Sequence, residues 1–139
     1  MLIGLNPLLG PDLLYALRAM GHGDEIAIVD GNYPADAHGQ RVIRADGHGV
    51  AALMEAILSV MPIDDKVEQA VFIPSIAEPQ ACHAIFKSIV KKYEPNVEVF
   101  GLNGEAFYDR VKSCYALVAT SETALYGNII VRKGVIYPK

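Results

Sequence analysis

The sequence predicts an α/β fold in which a mostly parallel sheet is covered by helices on both faces. Short apolar runs rich in β-branched residues, typical of buried strands, alternate with longer segments whose apolar residues recur at helical spacing. At 139 residues the chain has the size of one domain, and it contains no linker, repeat or low-complexity stretch. We therefore expect residues 1–139 to form a single domain.

The predicted elements follow one another closely along the chain. A helix is expected from Pro11 to Met20, because proline favours an opening turn and Gly21 follows the last apolar position. The remaining elements are strands at 25–30, 41–46, 69–74, 97–100 and 115–121, and helices at 47–61, 77–92 and 105–113. Two further apolar runs, 128–134 and 135–137, are too close together for another crossover helix, so one should pair antiparallel or reach a neighbouring subunit.

Composition and charge exclude several classes of protein. A net charge of −4 argues against a nucleic-acid partner, and the one basic cluster, Lys87, Lys91 and Lys92, has the spacing of a solvated helix face. There is no signal-peptide pattern and no apolar run long enough to span a membrane, so we expect a cytoplasmic protein. The hydrophobic content of 52% suggests that some surface is buried between subunits.

Metal and cofactor chemistry find little support in the sequence. The four histidines, His22, His38, His48 and His83, lack metal-ligand spacing, and no Walker loop, GxSxG elbow or GxGxxG turn is present. We expect no metal and no cofactor. Cys82 and Cys114 are predicted to be buried thiols of a reduced compartment.

Two titratable residues flank the first predicted strand. Asp30 ends that strand, where ligands of α/β sheets bind, and His22 precedes it between Gly21 and Gly23. Asp30 could simply cap the following turn, and His22 could be a turn residue after a helix whose left-handed cap is Gly21. If both are functional, either the loops fold back or His22 of one subunit meets Asp30 of another.

A third candidate group, Tyr126, Gly127 and Asn128, stands between two predicted strands. A hairpin turn explains it, although tyrosine and asparagine also suit the recognition of sugar hydroxyls.

Four stretches, MGHGDEIAIVDGNYPA, VIRADG, AFYDR and YGNIIVRKGV, resemble the RbsD/FucU family of small sugar isomerisers. The resemblance covers nearly the whole chain and is closer to the L-fucose mutarotase branch than to the D-ribose pyranase branch. It implies an α/β fold, ring-like oligomers that are often decamers, and sugar sites between adjacent subunits. It also implies that His22 is the proton donor and that Asp30 and Tyr126 to Asn128 bind the sugar.

The expected activity is therefore interconversion of the anomers of a monosaccharide such as L-fucose, with His22 and Tyr126 as catalytic residues. The alternative is a sugar-binding or sensory protein that uses the same pocket without turnover. One departure from the family pattern bears on sugar preference. The family tends to carry a basic residue two positions before Ala106, and this chain has Gly104 there.

Overall fold

The computed structural model describes residues 1–139 and contains five helices and six strands. The helices are α1 (Pro11–Ala19), α2 (Ala35–His38), α3 (Val50–Leu58), α4 (Ala81–Tyr93) and α5 (Gly104–Ser113). The strands are β1 (Glu25–Val29), β2 (Val42–Ala45), β3 (Val71–Pro74), β4 (Val99–Leu102), β5 (Ala116–Thr120) and β6 (Ile129–Arg132). The predicted α/β architecture is confirmed, with elements slightly shorter than expected.

Helix boundaries follow from local chemistry. Helix α1 begins with Pro11 at its first position, as predicted. Helix α3 begins at Val50 and not at the predicted position 47, because Gly47 adopts a left-handed turn with φ of 87°. Helix α4 begins at Ala81 and not at 77, since the residue before Pro79 is biased against helical backbone.

Two segments differ from expectation in type. The loop after β1 contains the single-turn helix α2, which four residues are too few to reveal by periodicity. The last apolar run, 135–137, forms no strand, whereas β6 pairs antiparallel as one of the two terminal runs was expected to do.

The six strands form one sheet in the order β2-β5-β1-β6-β3-β4. Strand β1 is parallel to β5, β5 to β2, and β3 to β4, while β6 lies antiparallel between β1 and β3. The five parallel strands consequently end at one edge of the sheet, here called the carboxyl edge, and begin at the opposite edge, here called the amino edge. Strand β6 runs from the carboxyl edge to the amino edge.

Helices cover both faces, as predicted. A core of 27 buried residues packs α1, α3 and α4 on one face, and a second core of 11 packs α2 and α5 on the other. Along β1, Ile26 and Ile28 contribute to the first core, and Ala27 and Val29 contribute to the second. Every residue of β1 and β5 is buried, as the continuous apolar runs indicated.

The connection between β5 and β6 is not the hairpin turn that its sequence suggested. The two strands are not neighbours, because β1 lies between them. The segment that contains Tyr126, Gly127 and Asn128 therefore crosses over the end of β1. This crossing brings the segment next to Asp30.

Candidate functional site

At the amino edge, His22 lies in a tight turn between α1 and β1. The turn is closed by the Gly21 amide, which donates to the Asp24 carboxylate at 2.7 Å, and by the Gly23 amide, which donates to the Lys133 carbonyl at 2.9 Å. The left-handed residue is Gly23, with φ of 91°, and not Gly21 as expected. Helix α1 ends at Ala19, and Met20 after it has extended backbone, so no left-handed cap is needed there.

The imidazole of His22 contacts a carboxylate that the sequence did not single out. Its Nε2 lies 3.1 Å from Oδ2 of Asp64. The His22 side chain is 47% exposed, whereas that of Asp64 is 0% exposed. Asp64 is fixed by its own amide, which donates to the carbonyl of Arg132 at 3.0 Å, and by the Lys66 amide, which donates to Oδ1.

Asp64 remains ionised in spite of its burial. Burial acts to raise the pKa of this carboxyl, but hydrogen bonds from Arg132, Lys66 and His22 outweigh it and hold the pKa below its usual range. An ionised carboxylate only accepts hydrogen bonds, so Nε2 of His22 carries a proton. The neutral imidazole consequently keeps the lone pair of Nδ1, and its half-exposed ring can accept a proton from a ligand.

At the carboxyl edge, Asp30 and Asn128 form a second polar group. The Asp30 amide donates to Oδ1 of Asn128 at 2.8 Å, and the Asn32 amide donates to the Asp30 carboxylate at 3.0 Å, so Asp30 does cap its turn as one interpretation proposed. Burial raises the pKa of Asp30, and hydrogen bonds from neighbouring amides only partly oppose this. No cationic side chain bonds this carboxylate.

Tyr126 occupies a strained backbone position. It is the only residue other than glycine with a positive φ, at 57°. Its carbonyl accepts a hydrogen bond from Nε2 of His83 on α4 at 2.7 Å, and its own side chain is half exposed. The next residue must be small, since a Cβ on Gly127 would lie 2.9 Å from Glu122 Cγ and 3.0 Å from the Ala124 carbonyl oxygen. Such strain is typical of functional sites.

A groove of about 600 Å³ opens at the carboxyl edge. Of the predicted site residues, Tyr126 and Asn128 line it; Gly127 lies between these two along the chain, and the Asp30 amide bonds Asn128. Gly104 lines the groove too, with no atom within 4 Å of the place a Cβ would occupy. The wall formed by α5 includes the buried Phe107 and the half-exposed Tyr108, whose aromatic ring is of the kind that packs against the face of a sugar ring.

The two candidate groups are separated within one chain. His22 precedes β1 and Asp30 follows it, and the five residues of β1 together with its flanking turns span roughly 20 Å. The structure therefore brings together Asp30, Tyr126, Gly127 and Asn128, and it leaves His22 at the other edge. The loops do not fold back to join them.

Sequence reasoning missed Asp64, Arg132 and His83. Asp64 lies 42 residues from His22 along the chain, in an irregular segment. Arg132 is the last residue of β6, within an apolar run near the end of the chain. No periodicity or motif links such positions. The sequence around His83 shows only that it lacks metal-ligand spacing, and its contact with Tyr126 depends on the packing of α4.

Other sequence predictions have simple outcomes. Cys82 and Cys114 are free and buried, as expected. The basic cluster on α4 is solvent-exposed, also as expected. No group of three or more His, Cys, Asp or Glu side chains is arranged to hold a metal ion. No helix combines the length and apolar character needed to cross a bilayer.

The fold and these two groups define an α/β protein with a polar groove at the strand ends and a carboxylate-bound histidine at the opposite edge. The chain belongs to the RbsD / FucU transport protein family, whose profile matches residues 3–136.

The chain is similar to curated proteins over almost its full length. It is 41% identical to a fucose mutarotase of Homo sapiens, in an alignment covering 96% of this chain and 93% of that protein. It is 41% identical to an L-fucose mutarotase of Actinobacillus pleuropneumoniae serotype 5b (strain L20), covering 97% of each. The crystal structure of a fucose mutarotase from Streptococcus pneumoniae in complex with L-fucose superposes with a TM-score of 0.92 at 34% identity, covering 98% of this chain and 100% of that one.

Proposed function

We propose that this protein is a sugar mutarotase that interconverts the anomers of L-fucose or a related monosaccharide, with the whole chain acting as one domain. The observation that carries this proposal is the pair formed by His22 and Asp64, in which a buried carboxylate holds Nε2 of a half-exposed imidazole. The similarity to proteins named fucose mutarotase supplies the sugar class.

Anomer exchange requires only proton transfers and one ring opening. A proton leaves the anomeric hydroxyl, the bond between C1 and the ring oxygen breaks, and the ring oxygen gains a proton. Rotation about the C1–C2 bond and reclosure then give the other anomer. Uncatalysed exchange that takes on the order of an hour corresponds to a barrier of roughly 22 kcal/mol. A positioned acid or base increases the rate of such a reaction by ~10² to 10⁴-fold. Neither a metal nor a cofactor takes part in this scheme.

Each residue has an assigned role in the proposal. His22 exchanges a proton with the ring oxygen or the anomeric oxygen, because the ordinary pKa of histidine lies near neutrality. Tyr126 exchanges the complementary proton or packs on the sugar. Asp30 and Asn128 bind hydroxyl groups, and Gly127, where there is no room for a side chain, contributes its backbone to the sugar site.

We further propose that each site is assembled from two copies of the chain in a homo-oligomer, as in a decameric ring. The roughly 20 Å between His22 and Asp30 supports this arrangement, since a monosaccharide cannot bridge that distance. The exposed apolar side chains of Met1, Ile3 and Ile136 offer further surface for association. We place the protein in the cytoplasm because its two cysteines are free and buried, as is usual in a reducing compartment.

The decisive experiment is NMR saturation transfer between anomers of L-fucose, D-ribose, D-galactose and L-rhamnose. The native protein should accelerate exchange of at least one sugar, and His22→Ala should abolish that acceleration. His48→Ala, which removes an exposed histidine, is the matched control and should exchange normally. Binding of a sugar without accelerated exchange would instead support the sugar-binding alternative.

The shared site has its own test. Chains carrying His22→Ala and chains carrying Asp30→Asn should each be inactive, and mixed oligomers refolded from both should regain activity, because some sites then combine the two intact halves. Mixtures that remain inactive would contradict assembly of the site from two subunits.

A further inference from the structure

A third side chain completes the group at the amino edge. Nε of Arg132 donates to Oδ2 of Asp64 at 2.7 Å, the same oxygen that His22 contacts at 3.1 Å. The carboxylate is fully buried, so the Arg132 guanidinium supplies the charge that stabilises its ionised form whenever His22 is neutral.

The position of Arg132 is set by backbone contacts on two sides. Its amide donates to the Ala70 carbonyl at 2.8 Å, and its carbonyl accepts from the Asp64 amide at 3.0 Å. Its guanidinium packs on the turn that carries His22, because a Cβ on Gly23 would lie only 3.0 Å from Nη2. The absence of a side chain at Gly23 therefore makes room for Arg132.

Other charged groups surround the turn without replacing Arg132. Asp24 bonds the Gly21 amide, and Nζ of Lys133 is bound to the carbonyls of Leu17 and Met20. Lys66 reaches Asp64 only through its backbone amide, and Arg18 lies in the last turn of α1. Arg132 is thus the only lysine or arginine whose side chain bonds the carboxylate.

We propose that Arg132 is a positioning residue: it holds Asp64 ionised and in place, and its charge makes the imidazole of His22 release a proton more readily than an isolated pair of His22 and Asp64 would. The inference rests on the proposed function. Arg132 and His22 share one oxygen, so the positive charge of Arg132 opposes a second positive charge on the imidazole. Without it, His22 and Asp64 together would retain a proton to higher pH and the free base would be scarcer at neutrality.

Arg132→Met tests this role by removing the charge. In the sugar-free protein, the NMR titration of the His22 ring should move to higher pH by about one unit, the size expected for losing a nearby partly screened charge. In turnover, kcat should fall by up to about tenfold on the acidic side of its pH profile and recover at higher pH, while KM for the sugar stays unchanged because Arg132 is not among the proposed sugar-binding residues.

Three companion variants separate charge from structure. Arg132→Lys keeps the charge and should titrate as the native protein does, with a modest loss in kcat from altered geometry. Arg132→Gln keeps a hydrogen-bond donor without charge and should shift as Arg132→Met does, which maintains the test if the methionine variant fails to fold. Arg44→Gln removes an exposed arginine paired with Asp46 and should change neither titration nor kcat.

An unshifted titration in both uncharged variants, or a change in KM with an unshifted kcat profile, would overturn the role of Arg132. Failure of the proposed function looks different. In that case no sugar is exchanged by any variant, yet the titration shift of His22 still appears and the electrostatic role of Arg132 stands.

Discussion

The two edges of the sheet each contain a buried aspartate, and the two are stabilised in opposite ways. Asp64 at the amino edge is bonded by two side chains that can carry positive charge, Arg132 and His22, and its pKa is held below the usual range. Asp30 at the carboxyl edge is bonded by neutral amides only, and burial raises its pKa.

This difference in stabilisation indicates that the two aspartates have different roles. The carboxylate of Asp64 is complete within the chain and needs no ligand, which suits a group that orients an imidazole through repeated proton transfers. The carboxylate of Asp30 is left short of partners, so hydroxyl groups of a neutral ligand would stabilise it by supplying the missing donors. In the proposed mechanism, the carboxylate that orients the imidazole and the carboxylate that binds hydroxyl groups thus lie at opposite edges of one chain.

The largest expected effect is that of Asp64→Asn. The neutral asparagine side chain no longer pairs with the charge of Arg132 and no longer fixes the orientation of the His22 ring. We therefore expect kcat to fall by about 10²-fold, the low end of what a positioned acid or base contributes. The free energy of unfolding should fall by roughly 2 to 3 kcal/mol, less than for a fully enclosed pair because Arg132 and His22 both reach water. Sugar exchange and urea unfolding measure the two effects.

Asp46→Asn is the matched control for this prediction, since Asp46 is an exposed aspartate paired with an arginine on the surface. It should leave turnover and unfolding at their native levels. Equal losses in both variants would mean that burial of Asp64 is irrelevant to its role.

Asp30→Asn should act on binding and not on folding. Loss of the carboxylate removes a charge-assisted hydrogen bond to the sugar, so the Kd should rise roughly tenfold to a hundredfold. Stability should stay the same or increase slightly, because an uncompensated buried charge is removed. Calorimetric titration with L-fucose and thermal unfolding check the two parts, and a marked loss of stability would contradict the comparison.

A smaller effect is expected at His83, which supports the loop of Tyr126 from α4. His83→Leu leaves the Tyr126 carbonyl without its donor and should raise KM about fivefold, with little change in kcat. His83→Gln restores a donor and should recover most of the native KM. Failure of glutamine to recover more than leucine would show that packing, and not the hydrogen bond, positions the loop.

The smallest effect is on the pH dependence of stability. The lowered pKa of Asp64 means that its stabilising contribution is complete above about pH 4 and is lost as the pH falls further. The raised pKa of Asp30 has the opposite sign, so its contribution is complete below about pH 4 and is lost as the pH rises through the raised value. Urea unfolding of the native protein and both asparagine variants from pH 3 to 6, at one protein concentration, should resolve these slopes.

The fold could be predicted from the sequence because its strands and long helices have clear periodicity. Strand β1, for example, is an uninterrupted apolar run that ends at a polar turn, and α1 has both a proline start and an apolar face. The order in which the strands pair in the sheet could not be predicted from the sequence. Nothing in the sequence between β5 and β6 reveals that β1 separates them, so the loop at Tyr126 resembled a hairpin.

Half of the candidate site could be predicted, and its other half could not. His22 and Asp30 stand at the ends of one strand, where topology directs attention. Asp64 and Arg132 are brought to His22 by the bridge between Ile63 and Lys133, which is a tertiary contact with no local signal. Spacing alone also cannot distinguish Gly21 from Gly23 as the left-handed residue of the turn.

Strand β6 has a consequence for how such a protein can change over generations. Asn128 just before it belongs to the carboxyl edge and Arg132 at its end belongs to the amino edge, so one short antiparallel strand serves both groups. Inserting or deleting a residue there would reverse which side chains face each side of the sheet. Length variation in β6 would therefore disturb both groups at once, whereas substitution at Gly104 or in the 75–80 loop would change the groove and leave β6 intact.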